Sequence, residues 1–114
     1  MRKVILDTSF ILTAVRQKID FFENTEMKGM RIIVPEQIIR ELKGLGAGLA
    51  LRILAKNEHG FEVIKIPGKD ADSAIMNFAR KNPEAIVATL DAGLKKKIKN
   101  HKLIIRNMKK LEII

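Results

Sequence analysis

The sequence predicts an α/β protein with a central, mostly parallel sheet and helices on both of its faces. Two observations support this class: short apolar runs alternate with segments of helical apolar spacing, and the first run is uninterrupted. An uninterrupted short run is typical of a strand buried on both faces, as in a parallel sheet. The 114 residues are expected to form a single domain, residues 1–114.

Strands are expected wherever a short apolar run ends at a turn residue or at an acid. The second run stops at Pro35, and the third alternates before a turn at Pro67 and Gly68. The six predicted strands span residues 4–6, 31–34, 61–66, 85–90, 103–105 and 111–114.

Helices are expected between the strands, where apolar residues recur three and four positions apart. The predicted helices span residues 10–22 (as one helix or two), 35–45, 47–56, 70–81 and 94–98. Pro35 suits the first position of its helix, because its φ angle is already helical and no N–H is needed there. Gly44 and Gly46 are expected to end the same helix.

Two acids directly follow apolar strands: Asp7 comes after residues 4–6, and Asp91 comes after residues 85–90. The carboxyl ends of parallel strands form the edge of the sheet where open α/β proteins place their chemistry. The alternative is that Asp7 simply caps the helix that follows it. A shared site therefore depends on whether further acids reach the same edge.

Glu41 and Asp72 are the further candidates for that edge, and Asp70 competes with Asp72 for one place. Glu41 lies ~60° around its helix from Ile38, beside the apolar stripe rather than opposite it. Its alternative role is that of a surface glutamate paired with a neighbouring cation. Asp70 and Asp72 also suit the start of a helix, as a cap or as first-turn acids.

The chain carries 22 Lys and Arg residues against 13 Asp and Glu residues, which gives a formal net charge of +9. This excess favours binding to a polyanion such as nucleic acid, and the alternative is a lysine-rich solvated surface. The absence of cysteine excludes disulfides and thiolate metal sites, and it fits a cytoplasmic location. No stretch approaches the ~18 apolar residues of a membrane helix.

Carboxylates gathered in one cleft repel one another and need a cation or a proton to compensate them. In a basic protein, such a cluster suggests hard divalent cations, Mg²⁺ or Mn²⁺, which prefer oxygen ligands. Two such ions can activate a water molecule and stabilise the leaving oxygen in phosphodiester hydrolysis. The acids and the excess of cations together suggest a metal-dependent nuclease.

Four segments, in order along the chain, carry the motifs of a known family. They are Val4-Ile5-Leu6-Asp7-Thr8-Ser9, Ile33-Val34-Pro35 leading to Glu41-Leu42, Ala71-Asp72-Ser73-Ala74-Ile75, and Val87-Ala88-Thr89-Leu90-Asp91. Over nearly its whole length, the chain resembles the PIN-domain endoribonucleases. Within the family, its basic tail resembles small archaeal proteins related to PIN nucleases of ribosome biogenesis, with toxin-type PIN nucleases as the second choice.

This resemblance implies a PIN-like three-layer α/β/α fold and an endoribonuclease site with two ions, Mg²⁺ or Mn²⁺. It implies that four carboxylates are catalytic and bind the metals: Asp7, Glu41, Asp72 and Asp91. It also implies that the hydroxyls of Ser9 and Thr89 help to orient the site. Leu90 departs from the family pattern, which often has asparagine before the last acid.

The basic tail is the expected RNA-binding segment. Its candidate residues are Lys95, Lys96, Lys99, Lys102 and Arg106. Such cations would contact the RNA backbone without reading its sequence. Consecutive lysines on a helix cannot all face one way, so part of this set is expected to be solvated only.

The leading hypothesis is an enzyme that cuts RNA, in rRNA processing, and leaves 5′-phosphate and 3′-hydroxyl ends as the resemblance implies. The alternatives are a non-catalytic RNA-binding module in a ribonucleoprotein assembly and the toxin of a toxin–antitoxin pair. The resemblance also implies a homodimer or a higher oligomer. Nothing in the sequence supports an antitoxin partner, and a phosphoacceptor domain would need an acid pair on its first strand that is not evident.

Overall fold

The computed structural model describes residues 2–24, 27 and 29–114, and the elements below lie within them. The strands are β1 (Lys3–Leu6), β2 (Arg31–Pro35), β3 (Glu62–Ile64), β4 (Ile86–Ala88), β5 (Lys102–Arg106) and β6 (Lys110–Ile113). The helices are α1 (Thr8–Arg16), α2 (Glu36–Gly44), α3 (Gly48–Lys56), α4 (Ala71–Lys81) and α5 (Ala92–Lys97).

The strands form one six-stranded sheet in the order β3-β2-β1-β4-β5-β6. Every neighbouring pair from β3 to β5 is parallel, and only the β5–β6 pair is antiparallel. Helices flank this sheet, as the sequence predicts for a three-layer α/β/α protein. The predicted fold class is confirmed.

β1 is the strand at which the order of the sheet reverses. The chain continues from β1 to β2 and β3 on one side, and it returns to place β4 and β5 on the other side. Leu6 pairs with Ala88, and the N–H of Asp7 donates to the Ala88 carbonyl at 2.9 Å. The residues after β1 and after β4 therefore lie side by side at a topological switch point, where open α/β sheets bind ligands.

The core is continuous from the central strands to the first helix. All of Val4, Ile5 and Leu6 are fully buried, which agrees with a central strand covered on both faces. Phe21 is also buried, and its ring lies edge-on to Phe10 with 5.9 Å between centroids. Phe21 therefore contributes to the core. Within the described residues, none of the helices has the length and apolarity to span a bilayer.

The first helix is shorter than predicted, since α1 ends at Arg16 although the apolar spacing continues to residue 22. Lys18 adopts a positive φ of 59°, which right-handed helices do not contain. Asp20 then accepts the N–H groups of Phe22 and Glu23, at 3.1 and 3.3 Å. This short-range capping of a turn competes with the helix and explains the difference.

Pro35 is the last residue of β2 and the N-cap of α2, one position before the place predicted for it. Its φ of −62° is compatible with the extended strand as well as with a helix, and it pairs with Ile64 of β3. β3 in turn spans only three residues instead of the predicted six. After Ile64, the chain leaves the sheet to form the loop that leads to α4.

The loop from β3 to α4 is held by the side chain of Gln37. This residue is buried, and its Nε2 donates to the carbonyls of Ile66 and Gly68, each at 2.8 Å. Asn77 of α4 donates to the carbonyl of Pro67 at 2.6 Å. These bonds set the position at which α4 begins, and with it the position of the acids at its first turn.

Gly68→Ala is expected to destabilise the fold. Gly68 has a φ of +148°, and an added Cβ would meet the backbone N of Ala74 at 2.6 Å. We expect a loss of about 1–3 kcal/mol in the free energy of unfolding, measured by urea denaturation. Gly44→Ala is the matched control, because no atom lies within 4 Å of its added Cβ; it should leave stability unchanged or raise it. Equal stability of the two variants would contradict the close approach at Gly68.

Candidate active site

Asp7 lies at the end of β1, in the N-cap position of α1, yet its side chain makes no capping hydrogen bond. The alternative that Asp7 serves as a side-chain cap is therefore wrong. The residue is only 5% exposed. A buried carboxylate needs hydrogen-bond partners, and those of Asp7 come from both sides of the switch point.

Two hydroxyls donate to the same oxygen of Asp7. Ser9 Oγ lies 3.0 Å from Asp7 Oδ2, and Thr89 Oγ1 lies 2.7 Å from it. The two hydroxyl oxygens are 3.3 Å apart, but each has a single hydrogen, which these bonds direct to Asp7. Both bonds use Oδ2 and neither uses Oδ1, so Asp7 is held in one orientation by one of its two oxygens.

The same hydroxyls accept hydrogen bonds from the main chain after β4. The N–H of Asp91 donates to Thr89 Oγ1 at 3.1 Å, and the N–H of Leu90 donates to Ser9 Oγ at 3.0 Å. Leu90 contributes through its backbone, so this contact does not depend on a polar side chain at position 90. The network fixes the end of β4 against the end of β1.

Asp91 is exposed and is the N-cap of α5, where its Oδ1 accepts the N–H of Leu94 at 3.1 Å. This bond uses one of the two carboxylate oxygens. Asp91 and Asp7 thus reach the same edge from neighbouring strands, as the sequence predicts for acids that follow parallel strands.

Asp72 is in the first turn of α4, and burial raises the pKa of its carboxyl. The charges of Asp7, Asp91 and Asp70 raise that pKa further, in this order, whereas Lys97 lowers it. Asp72 is therefore close enough to both strand-end acids to be repelled by them. The charges of Asp7 and Asp91, which end neighbouring strands at the switch point, therefore act on Asp72.

Asp70 has a different role from Asp72. Its Oδ1 accepts the N–H of Ser73 at 2.8 Å and caps α4. Hydrogen bonds from the backbone and side chain of Ser73 lower the pKa of Asp70, with smaller contributions from Lys69 and Lys97. Asp70 is therefore an ionised cap, whereas Asp72 is the acid of this helix whose pKa is raised by the charges of Asp7 and Asp91.

Glu41 is exposed on α2, which packs against α4. Among the residues that the structure describes, no hydrogen bond or ion pair joins Glu41 to the other three acids. Within the same residues, no three histidine, aspartate or glutamate side chains already form a cation site. The donor set nevertheless fits a hard divalent cation, because it consists of oxygens whose mutual repulsion a cation would relieve.

The five predicted RNA-binding cations are not equivalent in the structure. Lys102 is partly buried and donates to the carbonyl of Ile98 at 3.1 Å, and Arg106 forms an ion pair with Glu112, with Nε and Oε2 2.6 Å apart. Lys95 is partly buried, whereas Lys96 and Lys99 are exposed. The fold thus leaves Lys96 and Lys99 more available to a substrate than Lys102 and Arg106.

Lys97 was not among the predicted residues, yet it is the lysine whose charge acts on both Asp70 and Asp72. Sequence reasoning shows that three consecutive lysines face different directions. It does not show which one faces the acids, because that depends on how α5 is oriented against α4. The run of lysines in the sequence indicated that a cation could lie near the acids. The tertiary structure was needed to identify Lys97 as that cation.

The fold is a doubly wound α/β sheet, and carboxylates lie at its switch point. Proteins of this class bind charged ligands or carry out catalysis at that point. The chain belongs to the PIN-like domain family: the family model described as "PIN like domain" matches residues 4–110. The resemblance inferred from the four sequence segments is therefore confirmed.

Individual relatives agree with this membership. Ribonuclease VapC4 of Methanocaldococcus jannaschii is 28% identical over 127 aligned residues, which cover 99% of this chain and 97% of the relative. The PIN domain endonuclease Utp24 superposes with a TM-score of 0.82 at 30% identity, covering 97% of this chain and 90% of Utp24. PAE2754 from Pyrobaculum aerophilum shares the fold, with a TM-score of 0.55, 18% identity and 87% coverage of each chain.

Asp72→Asn is expected to raise thermal stability at pH 7, by a few degrees in Tm. Because folding raises the pKa of Asp72, the ionised carboxylate disfavours the folded state at every pH above that raised pKa. The gain should shrink as the pH falls toward the ordinary value of 3.8, where both folded and unfolded chains become protonated. Thermal unfolding followed by circular dichroism from pH 3 to 8 measures it.

Asp70→Ala is the control for that prediction, because the expected change in Tm has the opposite sign. Asp70 caps α4 and its pKa is lowered, so its removal should decrease Tm above pH 3.8, and the loss should fade in more acidic solution. If Asp72→Asn also decreased Tm at pH 7, the repulsion between the three acids would be refuted.

Proposed function

We propose that this chain is a metal-dependent endoribonuclease that hydrolyses RNA phosphodiester bonds. The observation that carries the proposal is that Asp7 and Asp91 end neighbouring strands at the switch point, and that burial and the charges of these two acids raise the pKa of Asp72. An uncompensated cluster of this kind disfavours folding and is retained where its charge is used. The formal net charge of the whole chain, +9, supports an anionic substrate.

In this proposal, Asp7, Asp72 and Asp91 hold two Mg²⁺ or Mn²⁺ ions, and Glu41 of α2 is the fourth carboxylate. When bound, such ions lower the pKa of an attacking water and stabilise the leaving oxygen. Glu41 is included because α2 begins at the end of β2, beside β1, and packs against the helix of Asp72. Its side chain has to turn toward the site, so we expect Glu41→Gln to reduce cleavage less than Asp7→Asn does.

The chain's own groups keep the acids in position. Ser9 and Thr89 hold Oδ2 of Asp7, and Thr89 also accepts the N–H of Asp91, so one buried hydroxyl orients both strand-end acids. The orientation of Asp7 then does not depend on a bound ion. Positioning before binding reduces the entropy cost of assembling a catalytic site.

The relatives support RNA as the substrate and internal cutting as the reaction. VapC4 is named a ribonuclease, and Utp24 is named an endonuclease. The roles in rRNA processing and as a toxin both remain hypotheses that differ in their RNA target, and a homodimer remains a hypothesis as well. The RNAs tested should therefore include structured rRNA fragments and unstructured RNA.

Cleavage is expected to require the strand-end acids. With Mn²⁺, the wild type should cut RNA internally, and Asp7→Asn and Asp91→Asn should each reduce the rate by about 100-fold or more, since removing even a supporting partner of a metal ligand typically costs ~10–100-fold. Gel analysis of end-labelled RNA measures the rates. EDTA should abolish cutting by the wild type.

Glu84→Gln is the matched control, because it removes an exposed carboxylate two residues before β4, at the end of the strand opposite to Asp91. It should cut as the wild type does. RNA that is bound but never cut by the wild type would support the non-catalytic RNA-binding module instead. Cutting that survives both Asp7→Asn and Asp91→Asn would refute this active site.

Mn²⁺ is expected to stabilise the folded chain. A ligand that binds only the folded state adds about 2.7 kcal/mol at a concentration 100 times its Kd, and here it also relieves the repulsion between the acids. Differential scanning calorimetry should show a Tm that rises with Mn²⁺ and returns on addition of EDTA. Asp7→Asn should lose this rise and Glu84→Gln should keep it; a wild type that does not respond to Mn²⁺ would contradict the metal site.

A further inference from the structure

A groove runs along the side of α4, between this helix and the chain from the end of α5 to β5. We call it the α4–α5 groove. It encloses about 390 Å³, and its lining includes Met76, Arg80, Lys97, Ile98 and Lys99. None of the site residues predicted from the sequence lines it except Lys99.

The lining has the chemistry of a nucleotide-binding surface. Arg80, Lys97 and Lys99 contribute three exposed cations, and no acid is among the lining residues that the structure describes. Met76 and Ile98 provide an apolar surface between these cations. Cations beside an apolar surface match phosphates beside a ribose and a base.

Lys97 is close enough to Asp72 to lower the pKa of that carboxyl, so one end of the groove lies near Asp72. On α4 the lining runs from Met76 past Arg80, which is eight residues beyond Asp72, and eight residues of helix extend ~12 Å. A strand lying in the groove would therefore approach the site from one side, with successive phosphates opposite successive cations.

The walls of the groove are held together from inside. Asn100 is buried, and its Nδ2 donates to the carbonyls of Ala79, Asn82 and Ala85 at 3.2, 2.9 and 3.0 Å. This amide joins the segment after α5 to the end of α4. The spacing of Arg80 from Lys99 is thus set by a buried contact and not by flexible surface chain, so the groove is formed before any ligand binds.

We propose that the α4–α5 groove binds the backbone of single-stranded RNA that continues from the bond being cut, with Arg80, Lys97 and Lys99 contacting its phosphates. This inference rests on the proposed function for its substrate. It assigns binding to the cations of the groove, in place of Lys102 and Arg106, whose charged groups already have partners within the chain.

The test compares two triple variants with the same change in charge. The first combines Arg80→Gln, Lys97→Gln and Lys99→Gln, which removes the cations of the groove. The control combines Arg40→Gln, Lys43→Gln and Lys65→Gln, which removes one arginine and two lysines, all exposed and outside the groove. Fluorescence anisotropy with a labelled single-stranded oligoribonucleotide, in EDTA so that no RNA is cut, gives the affinity at several salt concentrations.

We expect the groove variant to bind RNA at least 10-fold more weakly than the wild type. A plot of log K against the logarithm of the salt concentration should be shallower for this variant, by about two units of slope. Each phosphate contact to a single strand contributes ~0.7 to that slope. The control should change affinity by less than about threefold. Equal losses of affinity in both variants would overturn the proposal, because they would reflect net charge alone. A wild type that binds no RNA would also overturn it.

The outcomes for the groove and for the catalytic proposal are separable. Cleavage by the wild type with equal RNA affinity in the groove variant would reject the groove and keep the nuclease. Groove-dependent binding without cleavage would reject the nuclease and keep the groove. If the triple variant unfolds, Lys99→Glu alone replaces it; Lys99 is exposed, and the same loss of affinity is expected relative to Lys43→Glu.

Discussion

The hydrogen bonds that converge on one oxygen of Asp7 are the interaction on which the site depends. The bond from Ser9 is local, because Ser9 lies two residues beyond Asp7, whereas the bond from Thr89 joins segments 82 residues apart in the chain. The parallel pairing of Leu6 with Ala88 brings the two segments together. The sheet register, the burial of Asp7 and the orientation of Asp91 therefore form one arrangement, and a shift of a single residue in the register would separate them.

This arrangement has an electrostatic cost in folding free energy. Asp72 is placed where the charges of Asp7 and Asp91 act against its own ionisation, and the fold holds it there through the loop anchored by Gln37. Sites that bind cations or substrates commonly oppose stability in this way, because the charge they need is unfavourable without the ligand. The neighbouring Asp70 shows the contrast, since the same residue type two positions earlier stabilises its helix as the N-cap.

Much of the fold was predictable because it follows from local patterns. Apolar runs identified the six strands, and an acid directly after a buried strand placed Asp7 and Asp91 at the edge of the sheet. The errors arose where short-range contacts compete with periodicity: the turn capped by Asp20 ends the first helix early, and Pro35 remains in its strand. The difference between Asp70 and Asp72 could not come from a pattern, because both residues suit a helix start. Only the structure shows that Asp70 caps α4, while the charges of Asp7 and Asp91 act on Asp72.

The sequence by itself determined the alternation of strands and helices, the positions of the strand-end acids and the excess of positive charge, since each depends on residues near in the chain or on composition. Only the tertiary structure decided which groups meet. It placed Lys97 beside Asp72, engaged Lys102 and Arg106 elsewhere, and formed the α4–α5 groove around Arg80. The physical reason is that strand order and helix orientation result from contacts between distant segments, which no local pattern contains.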